Sequence, residues 1–150
     1  MKEQTQVLID ENCVVLNMRP TSKEDAIRGI IEQLARANKL KNPEAILTSV
    51  LYRESLASTG LEKGIALPHA KTSEVENLVV GIGIVPNGVD FNSLDNKDAN
   101  IIVLVLSSFN SASAHVAFLA SISNLLSKEE VRERLVHAKT KAEVVKEINL

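Results

Sequence analysis

Ser58–Lys71, with the sequence STGLEKGIALPHAK, is the stretch around which the rest of the chain is organised. Gly60 and Gly64 allow backbone conformations that other residues disfavour, and they leave the loop amides open to approach. After the second glycine, larger and smaller residues alternate with the two-residue period of a strand that leads to His69. Because Pro68 cannot donate a ladder hydrogen bond, this strand is predicted to lie at a sheet edge or to end at the histidine. The segment therefore predicts a histidine at a strand end, beside loop groups that could bind phosphate.

The composition indicates one globular domain, expected to cover residues 1–150. Of the 150 residues, 45% are hydrophobic and 24% are charged, and the formal net charge is -2. Such a charge argues against a nucleic-acid partner, which needs a clustered basic surface. No apolar run approaches the roughly 20 residues of a membrane span, and the first residues show no signal-peptide pattern, so no direct membrane insertion is expected. Cys13 is the only cysteine, which excludes an internal disulfide and indicates a reducing, cytoplasmic compartment.

Segments with strand and helix character alternate along the chain, which predicts an α/β fold with helices on both faces of one sheet. Apolar, β-branched runs indicate strands at 13–18, 78–85 and 101–106, the last one apolar enough for a central strand. Helical spacing of apolar residues indicates helices at about 22–38, 43–57, 128–138 and 140–148, and another that begins within a turn of His115. Thr21 or Ser22, Asn42 and Thr140 are the predicted helix caps. Residues 1–12 are predicted to form a short helix or an arm.

Three short motifs together carry a family resemblance. Arg53-Glu54, Ser58-Thr59-Gly60 and the GIALPHA run at Gly64–Ala70 resemble the active-site signature of enzyme IIA of the bacterial sugar phosphotransferase system. The similarity is to the fructose–mannitol type, which includes the nitrogen-regulatory IIA proteins. It covers nearly the whole chain and implies a mixed, mainly parallel sheet. The sequence departs from the family pattern at Glu62, where glycine is common.

The resemblance implies that His69 is a phosphorylated nucleophile and that the chain is a phosphotransferase without a cofactor. His69 would take its phosphoryl group from the phosphohistidine of the phosphocarrier protein HPr. It would pass the group to a cysteine of a IIB component, which phosphorylates sugar entering through a membrane IIC component. Imidazole suits this task, because a reference pKa of about 6.5 leaves a large neutral fraction with a free lone pair.

A second histidine, His115, falls on the packed face of the helix after the central strand. Leu119 and Leu126 follow it at helical spacing. The histidine also lies near the helix start, where free amides and the macrodipole favour an anion. Considered alone, it is more often a satisfied core residue, but the resemblance implies a neighbour of His69 that assists as a hydrogen-bond donor. The next residue, Val116, departs from the leucine that is common in the family.

The other predicted phosphate-binding residues lie at the end of the second helix and in the glycine loop. Arg53 could be a solvated helix residue, but its guanidinium also suits phosphate oxygens, and the resemblance favours that role. Ser58 and Thr59 could end the helix or donate hydroxyl hydrogen bonds to a phosphoryl group. The amides of the loop from Gly60 to Gly64 would complete the stabilisation of the phosphoryl oxygens.

Two further residues, Glu54 and Pro68, are predicted to contact the partner protein. No metal is expected, because the histidines have no cysteine or carboxylate at ligand spacing. ATP is not expected as the donor, since the glycine loop lacks the Gly-Lys-Ser/Thr ending of a Walker loop. Two alternatives to the sugar-transport carrier stay open. One is a nitrogen-type regulatory IIA that acts by binding proteins, and the other is a non-catalytic interaction module with two structural histidines.

Overall fold

The computed structural model of the protein describes residues 9–149. These residues contain five strands and five α-helices. The strands are β1 (Val14–Val15), β2 (Ile65–Ala66), β3 (His69–Lys71), β4 (Leu78–Val89) and β5 (Ala99–Ser107). The helices are α1 (Lys23–Arg36), α2 (Pro43–Leu56), α3 (Ala112–Leu126), α4 (Glu129–Val136) and α5 (Lys141–Ile148). None of these helices is long and apolar enough to cross a bilayer.

The five strands form one mixed sheet. Its order is β1-β4-β5-β2, and β3 continues the edge on which β2 lies because it also pairs with β5. The pairing of β4 with β5 is antiparallel, whereas β1, β2 and β3 each pair with their neighbour in parallel. The predicted α/β fold with a mixed, mainly parallel sheet is therefore confirmed.

β5 is the central strand, as its composition predicts. Every residue from Ile101 to Leu106 is buried, which fits a strand covered on both faces. On the neighbouring strand, Gly81 and Gly83 allow α1 to pack closely. A Cβ at Gly81 would lie 2.6 Å from Cγ2 of Ile30, and one at Gly83 would lie 2.9 Å from Cδ1 of the same residue. The missing side chains thus set the distance between α1 and the sheet.

β2 and β3 confirm the expectation for the strand that leads to the histidine. The two pieces lie at the sheet edge and are separated by Leu67 and Pro68. The Pro68 carbonyl accepts a hydrogen bond from Val105 N at 3.0 Å, so the chain stays attached to β5 across the interruption. His69 then begins β3, level with Val105.

Local structure differs from the predictions at two places. The first strand is shorter than 13–18, since Asn17 has a φ of 53° and turns the chain. Asn42 precedes α2 but its side chain does not cap it, because its backbone is left-handed and its amide donates to Glu74 Oε1. Ser22 and Thr140 do cap their helices. Of the predicted N-terminal arm, residues 1–8 lie outside the described part, and Glu11–Cys13 form a 3-10 turn.

Candidate functional site

The fold brings the two predicted histidines together. His69 begins β3 at the sheet edge, and His115 lies in the first turns of α3, which follows β5. Their ring centroids are 5.4 Å apart and the ring planes are nearly perpendicular, at 86°. Both rings line a cleft of about 510 Å³ between α2, β3 and α3. The two imidazoles therefore share one site.

The contacts of His69 define which ring nitrogen can act as a nucleophile. Nδ1 lies 2.9 Å from the backbone oxygen of Leu67. A carbonyl oxygen can only accept, so Nδ1 carries a hydrogen and donates it. In the neutral ring the free lone pair is then on Nε2. The half-buried His69 is thus held with one defined nitrogen available for bond formation.

His115 is more enclosed than His69. It is buried, and its Nδ1 is hydrogen-bonded to Oγ of Ser107, the last residue of β5. Burial lowers the pKa of His115 below the ordinary imidazole value of 6.5, and the neighbouring His69 ring and the Lys71 ammonium lower this pKa further, since each disfavours a positive charge on His115. His115 is therefore neutral at pH 7, and it carries one ring hydrogen.

Two cationic side chains line the same cleft. Arg53, in the last turn of α2, donates from Nη1 to the Ala57 oxygen at 2.9 Å, so other N–H groups of its guanidinium stay available. Lys71 also lines the cleft, although it is not among the site residues predicted from the sequence. It lies two residues after His69 in β3, and side chains two apart in a strand share a face. That spacing is the signal by which Lys71 could have been found.

Glu54 requires a correction, because the predicted partner-contact residue is buried. Only 6% of it is exposed. Its Oε2 accepts from the Thr59 amide at 2.9 Å and its Oε1 accepts from the Thr59 hydroxyl at 2.6 Å. Lys23 Nζ lies 3.1 Å from the same carboxylate. Glu54 therefore ties the end of α2 to the following loop instead of facing a partner.

The hydroxyls of Ser58 and Thr59 also differ from their predicted roles. The Thr59 hydroxyl donates its hydrogen to Glu54, and the Ser58 hydroxyl donates to the Phe91 oxygen. A hydroxyl has a single hydrogen to donate. Neither side chain is therefore free to donate to a phosphoryl group in this conformation.

The glycine loop is a further correction, because it is not arranged around the histidines. Gly64 O accepts from Asn100 N and Ile101 N, near the beginning of β5, whereas His69 pairs four residues further along this strand. At roughly 3.3 Å per residue the two levels are on the order of 13 Å apart. The Gly60 amide is already bonded to Ser58 Oγ. The Lys63 amide donates to Asp95 Oδ2, so these loop amides bond to nearby protein groups and lie away from the histidines.

The two loop glycines have a structural explanation. A Cβ at Gly60 would lie 2.6 Å from Ser93 Oγ and 2.8 Å from the Phe91 oxygen. Gly64 has a φ of 79°, in the left-handed region that favours glycine. Close packing and a turn thus require glycine at these positions, and phosphate binding is not needed to explain them.

Three exposed apolar side chains also line the cleft, and they were not predicted from the sequence. Pro68, the other predicted partner contact, is buried and is therefore a correction as well. Instead, Tyr52 and Leu56 of α2 and Val116 of α3 line the cleft while 66%, 65% and 68% exposed. The signal available in the sequence was the i, i+4 spacing of Tyr52 and Leu56 outside the buried stripe of α2.

Comparisons with known proteins agree with the resemblance found in the sequence. Residues 7–150 match the family model described as "Phosphoenolpyruvate-dependent sugar phosphotransferase system, EIIA 2". The fructose-specific EIIA component of Haloferax volcanii is 33% identical over 87% of this chain and 85% of that protein. The fructose-specific EIIABC component of Bacillus subtilis is 34% identical over 95% of this chain, which spans only 22% of that longer protein.

Two solved structures share the fold at similar coverage. The nitrogen regulatory protein IIA-Ntr from Neisseria meningitidis has a TM-score of 0.86 and 25% identity, covering 94% of this chain and 96% of that one. The complex of enzyme IIA and phosphorylated enzyme IIB for mannitol from Escherichia coli has a TM-score of 0.79 and 28% identity, covering 93% of this chain and 96% of that one. Both the sugar-specific and the nitrogen-regulatory branch are thus represented among proteins similar to this chain.

Proposed function

This chain belongs to the EIIA 2 family of the phosphoenolpyruvate-dependent sugar phosphotransferase system, and we propose that it is a phosphocarrier with His69 as the acceptor. Its donor is the phosphohistidine of the phosphocarrier protein HPr, and its acceptor is a cysteine of a IIB component that serves uptake of a fructose- or mannitol-like sugar through a membrane IIC component. Residues 1–150 form one IIA domain that acts on the cytoplasmic side. The observation that carries this proposal is the His69–His115 pair, with His69 Nδ1 bonded to the Leu67 oxygen.

The transfer needs no net proton movement at His69. The lone pair on Nε2 forms a new N–P bond while the donor's N–P bond breaks and its electron pair returns to the donor imidazole. The hydrogen stays on Nδ1 and is donated to the Leu67 oxygen throughout, which stabilises the positive charge that the phosphorylated ring acquires. In the onward step a thiolate forms the S–P bond and the electron pair of the broken N–P bond returns to Nε2.

Phosphoryl transfer depends mainly on positioning and on stabilising the phosphoryl oxygens. Arg53 and Lys71 supply positive charge at the cleft, and Ala112 brings the first turn of α3 to its wall. The first amides of an α-helix have no intrahelical acceptor, and together with the helix macrodipole they favour a dianionic group. These groups take the place of the glycine-loop amides in the mechanism.

The exposed apolar side chains around the cleft suit a protein donor and a protein acceptor. Tyr52, Leu56 and Val116 offer contact area next to the cations, and an exposed apolar patch of this kind is typical of a protein-interaction site. A relative has been solved as the complex of enzyme IIA with phosphorylated enzyme IIB. This likeness supports a IIB partner.

The experiment is an intact-mass measurement after incubation of the chain with phosphoenolpyruvate, the general phosphoryl-donor enzyme of the system and HPr. We expect a gain of one phosphate that is lost in acid and absent in His69→Ala. The matched control is His137→Ala, because His137 is exposed at the end of α4 and is not among the residues that line the cleft. No gain in the wild-type chain would favour the non-catalytic interaction module.

Substitution of His115 is expected to affect phosphate acceptance and onward transfer differently. We expect His115→Ala to retain part of the phosphate acceptance, while transfer to IIB slows by roughly 10- to 100-fold. This factor corresponds to the loss of one hydrogen bond to a charged group. Rapid-quench sampling of both steps measures this difference. Equal loss of acceptance in His69→Ala and His115→Ala would defeat the assignment of roles.

The similarity to IIA-Ntr favours a second candidate function, a regulatory IIA that acts by binding other proteins. The identity of 33% to 34% with fructose-specific components makes the sugar branch the first choice. Adding fructose- and mannitol-type IIB domains to the phosphorylated chain distinguishes the two. Transfer to a IIB cysteine supports the sugar branch, and retention of phosphate with every IIB supports the regulatory one.

A further inference from the structure

Ser107 contacts His115 from the buried end of β5. Its exposed fraction is 0%, and its Oγ is hydrogen-bonded to Nδ1 of the His115 ring. The backbone around Ser107 is held on both sides, because Lys71 of β3 and Leu78 of β4 both pair with it. Its hydroxyl therefore meets the imidazole from a rigid part of the sheet.

The direction of this hydrogen bond follows from the surroundings of the hydroxyl. Within residues 9–149 the His115 nitrogen is the partner that the Ser107 hydroxyl has. If Nδ1 carried the hydrogen and donated, the buried Ser107 hydrogen would be left without an acceptor, which costs about 1–3 kcal/mol. If the hydroxyl donates to Nδ1, both groups are satisfied and the ring hydrogen lies on Nε2. The second arrangement is therefore favoured.

We propose that Ser107 is a positioning residue that holds neutral His115 in the Nε2–H tautomer, so that this ring donates a hydrogen bond to the phosphoryl group on His69. The tautomer stands on the contacts of Ser107, whereas its use in transfer rests on the proposed function. The neutral ring has only one hydrogen, and a lone pair on Nε2 would repel the phosphoryl oxygens where a hydrogen attracts them.

The two imidazoles are thus given opposite roles by their neighbours. A carbonyl, which only accepts, leaves the lone pair of His69 on Nε2 and makes this ring the nucleophile. A hydroxyl that donates leaves the hydrogen of His115 on Nε2 and makes this ring the donor. The lowered pKa of His115 keeps it neutral at pH 7, so the choice of tautomer decides what it offers.

The tautomer is tested first by nitrogen NMR of the full chain with ¹⁵N-labelled histidine at pH 7.5. For His115 we expect the shifts of an imidazole protonated at Nε2 and accepting at Nδ1. In Ser107→Ala we expect the two nitrogen shifts to move toward each other, as in a ring that exchanges between tautomers, and Ser107→Thr is expected to restore the wild-type pattern. An Nδ1–H pattern in the wild-type chain would overturn the proposal, whether or not the chain accepts phosphate.

The role in transfer is tested by the kinetics of phosphoryl passage from phosphorylated HPr to His69 and on to IIB. We expect Ser107→Ala to lower kcat about 3- to 10-fold, which is the effect of losing one hydrogen bond, and to leave KM unchanged. In a His115→Ala background the same substitution is expected to have no further effect, because it acts through that ring. An equal loss in both backgrounds would overturn the role.

The kinetic controls separate this role from folding. Ser127→Ala makes the same change at the exposed end of α3 and is expected to leave both rates at wild-type values. The wild-type NMR pattern needs no variant, so a Ser107→Ala chain that fails to fold does not prevent the test. A correct tautomer in a chain that accepts no phosphate would reject the proposed function and leave the assignment of the tautomer intact.

Discussion

Glu54 accepts hydrogen bonds from both the amide and the hydroxyl of Thr59, and this double contact joins the end of α2 to the loop that leads to His69. Lys23, at the start of α1, reaches the same carboxylate and lies 5.7 Å from the centre of the Phe91 ring. One buried carboxylate therefore links two helices and the loop. Arg53, the neighbour of Glu54, gains its place at the cleft from this anchored helix end.

We expect Glu54→Gln to lower the free energy of unfolding by about 1–3 kcal/mol. The amide NH₂ group of glutamine cannot accept, so one of the two Thr59 donors is left without its partner in a buried site. Urea denaturation followed by circular dichroism measures the change. Glu44→Gln is the matched control on α2, since Glu44 is exposed and its contact with Arg28 is a surface pair, and we expect a change within about 0.5 kcal/mol there. Equal effects of the two substitutions would contradict the anchoring role.

We expect Arg53→Lys to reduce the rate of phosphoryl acceptance roughly 10-fold while stability changes by less than about 1 kcal/mol. The ammonium keeps the charge but cannot hold the Ala57 oxygen and a phosphoryl oxygen at the same time with a planar fork. Single-turnover transfer from phosphorylated HPr gives the rate. Arg28→Lys, on the surface of α1, is the control. A wild-type rate in Arg53→Lys would show that charge alone is sufficient at this position.

Gly60→Ala tests whether the glycine loop takes part in phosphate binding. The added Cβ would meet the Phe91 oxygen and Ser93 Oγ at less than 3.0 Å, so we expect a loss of about 1–3 kcal/mol in the free energy of unfolding. Acceptance of phosphate by the folded protein is expected to persist, because this loop does not line the cleft. The measurement is the phosphorylation rate at a temperature well below the unfolding midpoint. A selective loss of acceptance with stability retained would restore the loop as a phosphate-binding element.

The neutral, buried His115 makes stability depend on pH in a defined direction. Because its pKa is lowered from 6.5 in the folded state, the unfolded chain binds a proton that the folded chain does not bind in the interval below 6.5. The free energy of unfolding should therefore be constant from this source above pH 6.5 and fall as the pH decreases toward the folded pKa. Denaturant titrations at pH 7.5, 6.5 and 5.5 (about one unit apart, spanning this window) follow the change.

Replacement of the ring supplies the control for this pH dependence. In His115→Gln the decline between these pH values should become shallower than in the wild-type chain. Asp10, whose pKa is lowered below 3.8 chiefly by its hydrogen bond with Lys39, affects stability only at more acidic pH. An unchanged slope in His115→Gln would contradict the assignment to this ring.

The sequence by itself determined the elements and the place of His69. The apolar run of β5, the serine cap of α1 and the proline before His69 each act through their own residue or near neighbours along the chain. Such rules can be read without the fold. They were enough to predict an α/β chain with a histidine at a strand end, and the GIALPHA run was enough to indicate the family.

Only the tertiary structure decided which polar groups face the cleft and which form hydrogen bonds inside the protein. Glu54 and the hydroxyls of Ser58 and Thr59 have the right chemistry for a surface site, but their partners are inside the protein. Lys71 and Ser107 take part at the site because β3 and β5 pair side by side, which no local pattern specifies. A hydrogen bond depends on atoms within about 3 Å of each other, and residues distant in sequence reach this separation only when the whole sheet has formed.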